Sequence, residues 1–108
     1  PYRDDMALVL KTNNRLVLLC GCCHAGLLNT LAHVQRAFEH PIVVIAGGLH
    51  LTSADADYLR HVGDVLAETE SVQRVYPNHC TGKRAYAALT QAFGESVAPC
   101  PAGTEVIL

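Results

Sequence analysis

Two apolar runs constrain this chain more than any other feature. "LVLLC" (Leu16 to Cys20) and "IVVIA" (Ile42 to Ala46) are apolar at every position. Five residues is a strand's length. A strand with no polar face is one buried on both sides, as in the mostly parallel sheets of α/β proteins. Each run ends at glycine, and a histidine follows within a few residues: "GCCHAG" after the first, "GGLHL" after the second. A third extended segment, "VQRVY" (Val72 to Tyr76), stops at Pro77 and runs into "PNHCTG".

The remaining elements are read around these strands. Met6 to Thr12 is β-like, and "NNR" (Asn13 to Arg15) is a turn, since Asn tolerates the left-handed region. It joins that segment to Leu16–Cys20 as a hairpin. Leu27 to Phe38 reads as a helix with Leu27, Leu28, Leu31, Gln35 and Phe38 on one stripe. Gly47 and Gly48 break the Ile42–Ala46 strand. A second helix begins near Thr52 or Ser53, with Asp55 and Asp57 in its first turn, where carboxylates suit the dipole. Tyr58, Leu59, Val62, Val65 and Leu66 form its apolar face. Thr81 or Gly82 opens a third helix with Ala85, Tyr86, Leu89, Ala92 and Phe93 on one face, ended by Gly94. "ESVAPCPAG" and "TEVIL" close the chain in short extended pieces. The order β-β-α-β-α-β-α-β implies a mostly parallel sheet with right-handed crossovers. Three helices suffice for one face of that sheet and leave the other needing a partner.

The length, 108 residues, is that of one domain. A formal net charge of −2 gives no basic footprint for nucleic acid. No apolar run reaches membrane-spanning length, and the opening residues do not form a signal peptide. "PYRDDMALVLKT" enters a strand with no lead-in and reads like the middle of a domain. Five cysteines, an odd number with three crowded at positions 20, 22 and 23, make a poor disulfide framework, so a cytoplasmic location is expected.

His24, His50 and His79 occupy equivalent places, each after a strand. Ligands of open α/β sheets bind beyond the carboxyl ends of the strands, so three imidazoles can converge on one rim. Imidazole is the commonest metal ligand and the commonest acid–base group near neutral pH. Alone, any one of them reads as a hydrogen-bonded loop residue; three at successive strand ends favour function. His33, His40 and His61 fall in or after helices and read as solvated. Cys20 reads as core. Cys22 is either a thiolate ligand or an inert buried thiol, the latter preferred. Cys23 and Cys80 adjoin histidines at positions that could be exposed, which does not by itself make a ligand. Thr81, Gly82 and Lys83 either bind a phosphate at a helix start or are an ordinary cap with a solvated lysine.

The motifs "DDMALVLKT…LVLLCGCCHAG", "IAGGLHL" and "PNHCTGKRAYAAL" with "AFGESVAPCPAGT" resemble those of the metallo-β-lactamase-fold hydrolases. The resemblance is strongest to the branch named for dihydropterin ribofuranosyl-aminobenzene phosphate synthase. It runs in order from about Asp4 to the C-terminus. It implies an αββα fold and a one- or two-metal site, with Zn, Mn or Fe, that activates water or binds an anionic small-molecule substrate. Carried over by motif, His24 and His79 are metal ligands, Cys22 is a further ligand candidate, and His50 binds substrate or moves protons. Asp5 holds the family's acidic strand-leading position, with no assigned role. The family's principal metal motif, H-x-H-x-D-H, has no counterpart here. Residues 1–108 therefore read as a single half-domain, the C-terminal half of the fold: one mixed sheet with helices mainly on one face.

Three functions follow from this reading. The first is a metal-dependent hydrolase present as its C-terminal half, inactive without the N-terminal half. The second is a non-catalytic, self-associating half-domain, with a homodimer replacing the lost half. The third is a thiol redox or metal-storage protein built on "CGCC", disfavoured because no C-x-x-C stands at a helix start.

Overall fold

The computed structural model describes residues 5–107. Pro1–Asp4 of the opening segment and Leu108 of "TEVIL" lie outside the described residues. The chain begins with a hairpin of β1 (Ala7–Thr12) and β2 (Arg15–Cys20). Asn13 and Asn14 form its two-residue turn at φ 49° and 63°. Two consecutive positive φ values are what a type I′ hairpin turn demands, and Asn meets that demand at low cost. Then follow α1 (Leu27–Ala37), β3 (Ile42–Gly48), α2 (Ala56–Glu68), β4 (Arg74–Asn78), a 3₁₀ turn (His79–Thr81), α3 (Lys83–Phe93) and a second 3₁₀ turn (Gly94–Ser96).

The four strands form one sheet in the order β1-β2-β3-β4. The β1–β2 pair is antiparallel, while β2–β3 and β3–β4 are parallel. The register sets Cys20 against Gly47, and Gly47 and Gly48 against Pro77 and Asn78. The carboxyl ends of β2, β3 and β4 are therefore level, and the loops that leave them share one rim.

Several sequence expectations are corrected. Gly47 and Gly48 do not break β3; they are its last two residues. Pro77 lies inside β4 rather than beyond it. This strand is at the sheet's edge, bridged on its outer side at Val75–Val97, and an edge tolerates a residue without an N–H. That bridge is all that the closing extended segments contribute to the sheet among the described residues. The second helix starts at Ala56, not at Thr52 or Ser53, because the Asp55 carboxylate accepts the Tyr58 N–H at 2.8 Å and caps it. In α1 the buried stripe is Leu27, Leu31 and Val34, whereas Gln35 and Phe38 are exposed. Tyr58 of α2 is also exposed. In α3 only Ala85 and Leu89 are buried among the described residues.

The two faces of the sheet differ in cover. One core joins Leu16, Leu18 and Cys20 of β2, Ile45 of β3 and Val75 of β4 to residues of all three helices. A second, smaller cluster joins Val17, Val43 and Val44 with Leu19 and Tyr76. Among the described residues it is built from strands alone. Leu8 and Leu10 pair with Leu19 and Val17 and so share that face, yet both are exposed. The expected mixed sheet with helices on one side is thus observed.

Candidate metal centre

Three loops build the site. The first, residues 21–26, leaves β2 and leads into α1. Asp5 fastens it: its carboxylate accepts the Ala25 N–H at 3.0 Å. That hydrogen bond is the main cause holding the Asp5 pKa below the usual carboxylate value. Asp5 therefore has a positioning role that the sequence did not assign.

The second and third loops, after β3 and β4, are laced together at Cys80. Its carbonyl oxygen accepts the Leu51 N–H at 3.0 Å, the Thr52 N–H at 3.3 Å and the Thr52 hydroxyl at 2.7 Å. Its sulfur accepts the His50 N–H at 3.1 Å. The buried Thr81 hydroxyl accepts the Leu49 N–H at 3.3 Å. The Asn78 side chain caps the 3₁₀ turn by accepting the His79 N–H at 2.7 Å.

The glycines at the end of β3 have a steric cause. A Cβ on Gly47, where φ is +116°, would lie 1.9 Å from the Cys20 carbonyl oxygen. A Cβ on Gly48 would lie 2.5 Å from His79 Cε1 and 2.8 Å from Cys80 Sγ. The backbone of β3 approaches the other two loops so closely that no side chain fits.

Five side chains meet on this rim. The ligand atoms of Cys22, His24 and His50 lie within 4.8 Å of one another, and so do those of Cys22, His79 and Cys80. Cys22 belongs to both groups. Its sulfur is 3.5 Å from His50 Nδ1 and donates to Cys80 Sγ at 3.0 Å. The His24 and His50 rings meet edge to face, with centroids 4.8 Å apart. The thiol contact with Cys80 pushes the Cys22 pKa up to about 11, because the S–H that donates must be lost on ionisation. Mixed thiol and imidazole donors within this span suit a divalent transition-metal ion, and the residues fit a metal.

The structure thus brings His24, His50, His79 and Cys22 to one rim. Cys22 is half-buried at the rim rather than enclosed in the core, where the preferred reading of its thiol had it. Sequence reasoning set Cys80 aside; the available signal was a thiol beside His79 on the strand-end loop that already carried a candidate ligand. Cys23, read as a position that could be exposed, is instead buried, at φ 59°. Hydrogen bonding with Cys20 holds its pKa down, and the same contact, with burial, pushes the Cys20 pKa up. His33 and His61 are exposed and His40 half-buried, outside either donor group. Gly82 is the N-cap of α3 at φ 84°, and Lys83 is exposed in its first turn. Asn78, His79, Thr81, Gly82 and Lys83 line part of an open cavity of about 350 Å³ beside the rim.

No protein-family model matches the chain. It is 32% identical over 88 residues to an uncharacterized protein of Methanocaldococcus jannaschii, an alignment covering 82% of this chain and 31% of that protein. It is 28% identical over 102 residues to 7,8-dihydropterin-6-methyl-4-(beta-D-ribofuranosyl)-aminobenzene-5'-phosphate synthase of the same organism, covering 93% of this chain and 34% of the synthase. Among solved structures it matches a metal-dependent hydrolase of the beta-lactamase superfamily, with a TM-score of 0.88 and 31% identity over 94% of this chain and 40% of that one. The chain therefore spans about a third of the length of these curated relatives. Its mixed sheet with helices on one side matches part of a metal-dependent hydrolase of the beta-lactamase superfamily, and its sequence is similar to part of the dihydropterin ribofuranosyl-aminobenzene phosphate synthase, as the resemblance read from the sequence implies.

Proposed function

We propose that the chain is the C-terminal half-domain of a metal-dependent hydrolase of the metallo-β-lactamase superfamily, inactive alone. The observation that carries this reading is the convergence of two donor groups on the shared residue Cys22, at the level carboxyl ends of three strands. His24, His79 and Cys22 are the proposed ligands, with Cys80 added by its position. A divalent ion bound there supplies Lewis-acid polarisation and a more acidic water. The chain's own residues do the rest. His50 is exposed at the rim and is proposed to bind substrate or carry a proton. Gly82 and Lys83, with Thr81, are proposed to face an anionic small-molecule substrate at the α3 N-terminus, where backbone N–H groups and a lysine favour negative charge. The absence of H-x-H-x-D-H from the sequence supports the need for an N-terminal half for activity, while the donors on this rim are proposed to hold an ion in this chain alone. Five free cysteines support a cytoplasmic setting.

Metal content per chain, measured by elemental mass spectrometry after dialysis, tests the reading. Near-stoichiometric Zn, Mn or Fe that is lost in His24→Ala and His79→Ala variants is the expected result. A metal-free protein that takes up none on addition would overturn it. The exposed apolar face favours a second reading, in which the half-domain self-associates as a homodimer without catalysis. Light scattering showing a monomer at high concentration would remove that reading.

A further inference from the structure

Cys22 and Cys80 are 58 residues apart in the chain, yet their sulfurs are 3.0 Å apart. Both are free and half-buried, so a small oxidant can reach them. A disulfide bond needs about 2.05 Å, a closure of roughly 1 Å, and the Cys80 sulfur already lies 3.3 Å from the Cys22 backbone carbonyl. The two thiols are also oriented for reaction. The Cys80 sulfur accepts the His50 N–H and the Cys22 S–H and donates its own S–H to the Cys22 carbonyl at 3.3 Å, so it is held against Cys22 from both sides. Cys80 is held by three further hydrogen bonds at its carbonyl.

We propose that Cys22 and Cys80 form a reversible intrachain disulfide under hydroperoxide, and that this bond removes both sulfurs from the candidate metal centre. The Cys80 sulfur attacks an oxygen of hydrogen peroxide, the O–O bond breaks, and the leaving hydroxide takes the Cys80 thiol proton and departs as water. Cys80 is then a sulfenic acid. The Cys22 sulfur attacks the Cys80 sulfur, the S–O bond breaks, and hydroxide leaves with the Cys22 proton as a second water. Two thiols are oxidised by two electrons and one hydroperoxide is reduced. Because Cys22 is common to both donor groups, closing this bond leaves neither with its full set of donors. This differs from a redox centre built on "CGCC", since the partner comes from the loop after β4. Its effect on metal uptake rests on the proposed metal centre; formation of the bond does not.

The test uses the full chain, stripped of metal with a chelator and treated with hydrogen peroxide. Mapping of unreduced peptides by mass spectrometry is expected to find residues 22 and 80 linked, and a thiol reductant is expected to reverse the link. A bond between Cys20 and Cys23, a bond between two chains, or sulfinic acid without any link would each overturn the proposal. Zinc is then titrated into the reduced and oxidised forms. The oxidised form is expected to bind at least about 10- to 100-fold more weakly, the loss that disturbing even the outer-shell partners of a metal site produces. Equal binding by both forms would overturn the control of metal uptake. If the reduced form binds no zinc while the 22–80 link forms reversibly, the disulfide stands and the metal reading fails. Cys100→Ser is expected to leave the link intact, and Cys80→Ser to abolish it.

Discussion

The two faces of the sheet are similarly apolar but differently finished. On one, Leu18, Ile45 and Val75 are fully enclosed beneath α1, α2 and α3. On the other, Val17 and Val44 are buried by neighbouring strand residues, while Leu8 at 54% and Leu10 at 37% exposure face outward. Arg74 stands on this second face, with its guanidinium 5.9 Å from the Tyr76 ring centre and donating to the Ile107 carbonyl at 3.2 Å. The difference teaches that strand composition reports the cover a strand is suited to, not the cover its own chain supplies. β2 and β3 carry residues for a two-sided core, and helices of this chain provide one side of it. That agrees with a chain spanning 40% of its structural neighbour.

The contrast can be sharpened by substitution. Leu18→Ala on the helix-covered face is expected to cost the most, about 2–5 kcal/mol, since it empties a fully enclosed site. Chemical denaturation would measure it, and a loss below 1 kcal/mol would mean the helix side is not closely packed. Asp55→Ala removes the cap that starts α2 on the same side, with an expected loss of about 1 kcal/mol. A matching fall in the thermal midpoint checks it. Leu10→Ser on the open face is expected to change stability by no more than about 0.5 kcal/mol. The same substitution should reduce self-association in light scattering if a second copy covers that face. A large stability loss would instead show that Leu10 is already enclosed and break the contrast.

Much of the fold was legible in the sequence. The apolar runs at Leu16–Cys20 and Ile42–Ala46 announced central strands, and Asn13–Asn14 announced the hairpin. What escaped depended on residues far along the chain. Gly47 and Gly48 looked like a break because local rules treat glycine as a breaker. They continue the strand because Cys20, His79 and Cys80 occupy the volume a side chain would need. Pro77 looked like a stop, and is accepted because β4 lies at the edge. The site was legible as three strand-end histidines. Cys80 was not, since the groups that fix it, His50, Leu51, Thr52 and Cys22, are 28 or more residues away in sequence or in another loop. Only the parallel register makes them neighbours.

The level strand ends carry an energetic consequence. A ligand that touches the loops after β2, β3 and β4 at once would clasp three crossovers of the sheet together. The unfolded chain, with those positions far apart, offers it no comparable site. Such a ligand would act as a thermodynamic clamp, adding about 2.7 kcal/mol to the stability of the whole sheet at a hundredfold excess over its dissociation constant. Resistance to unfolding would then report occupancy of the rim without any assay of turnover.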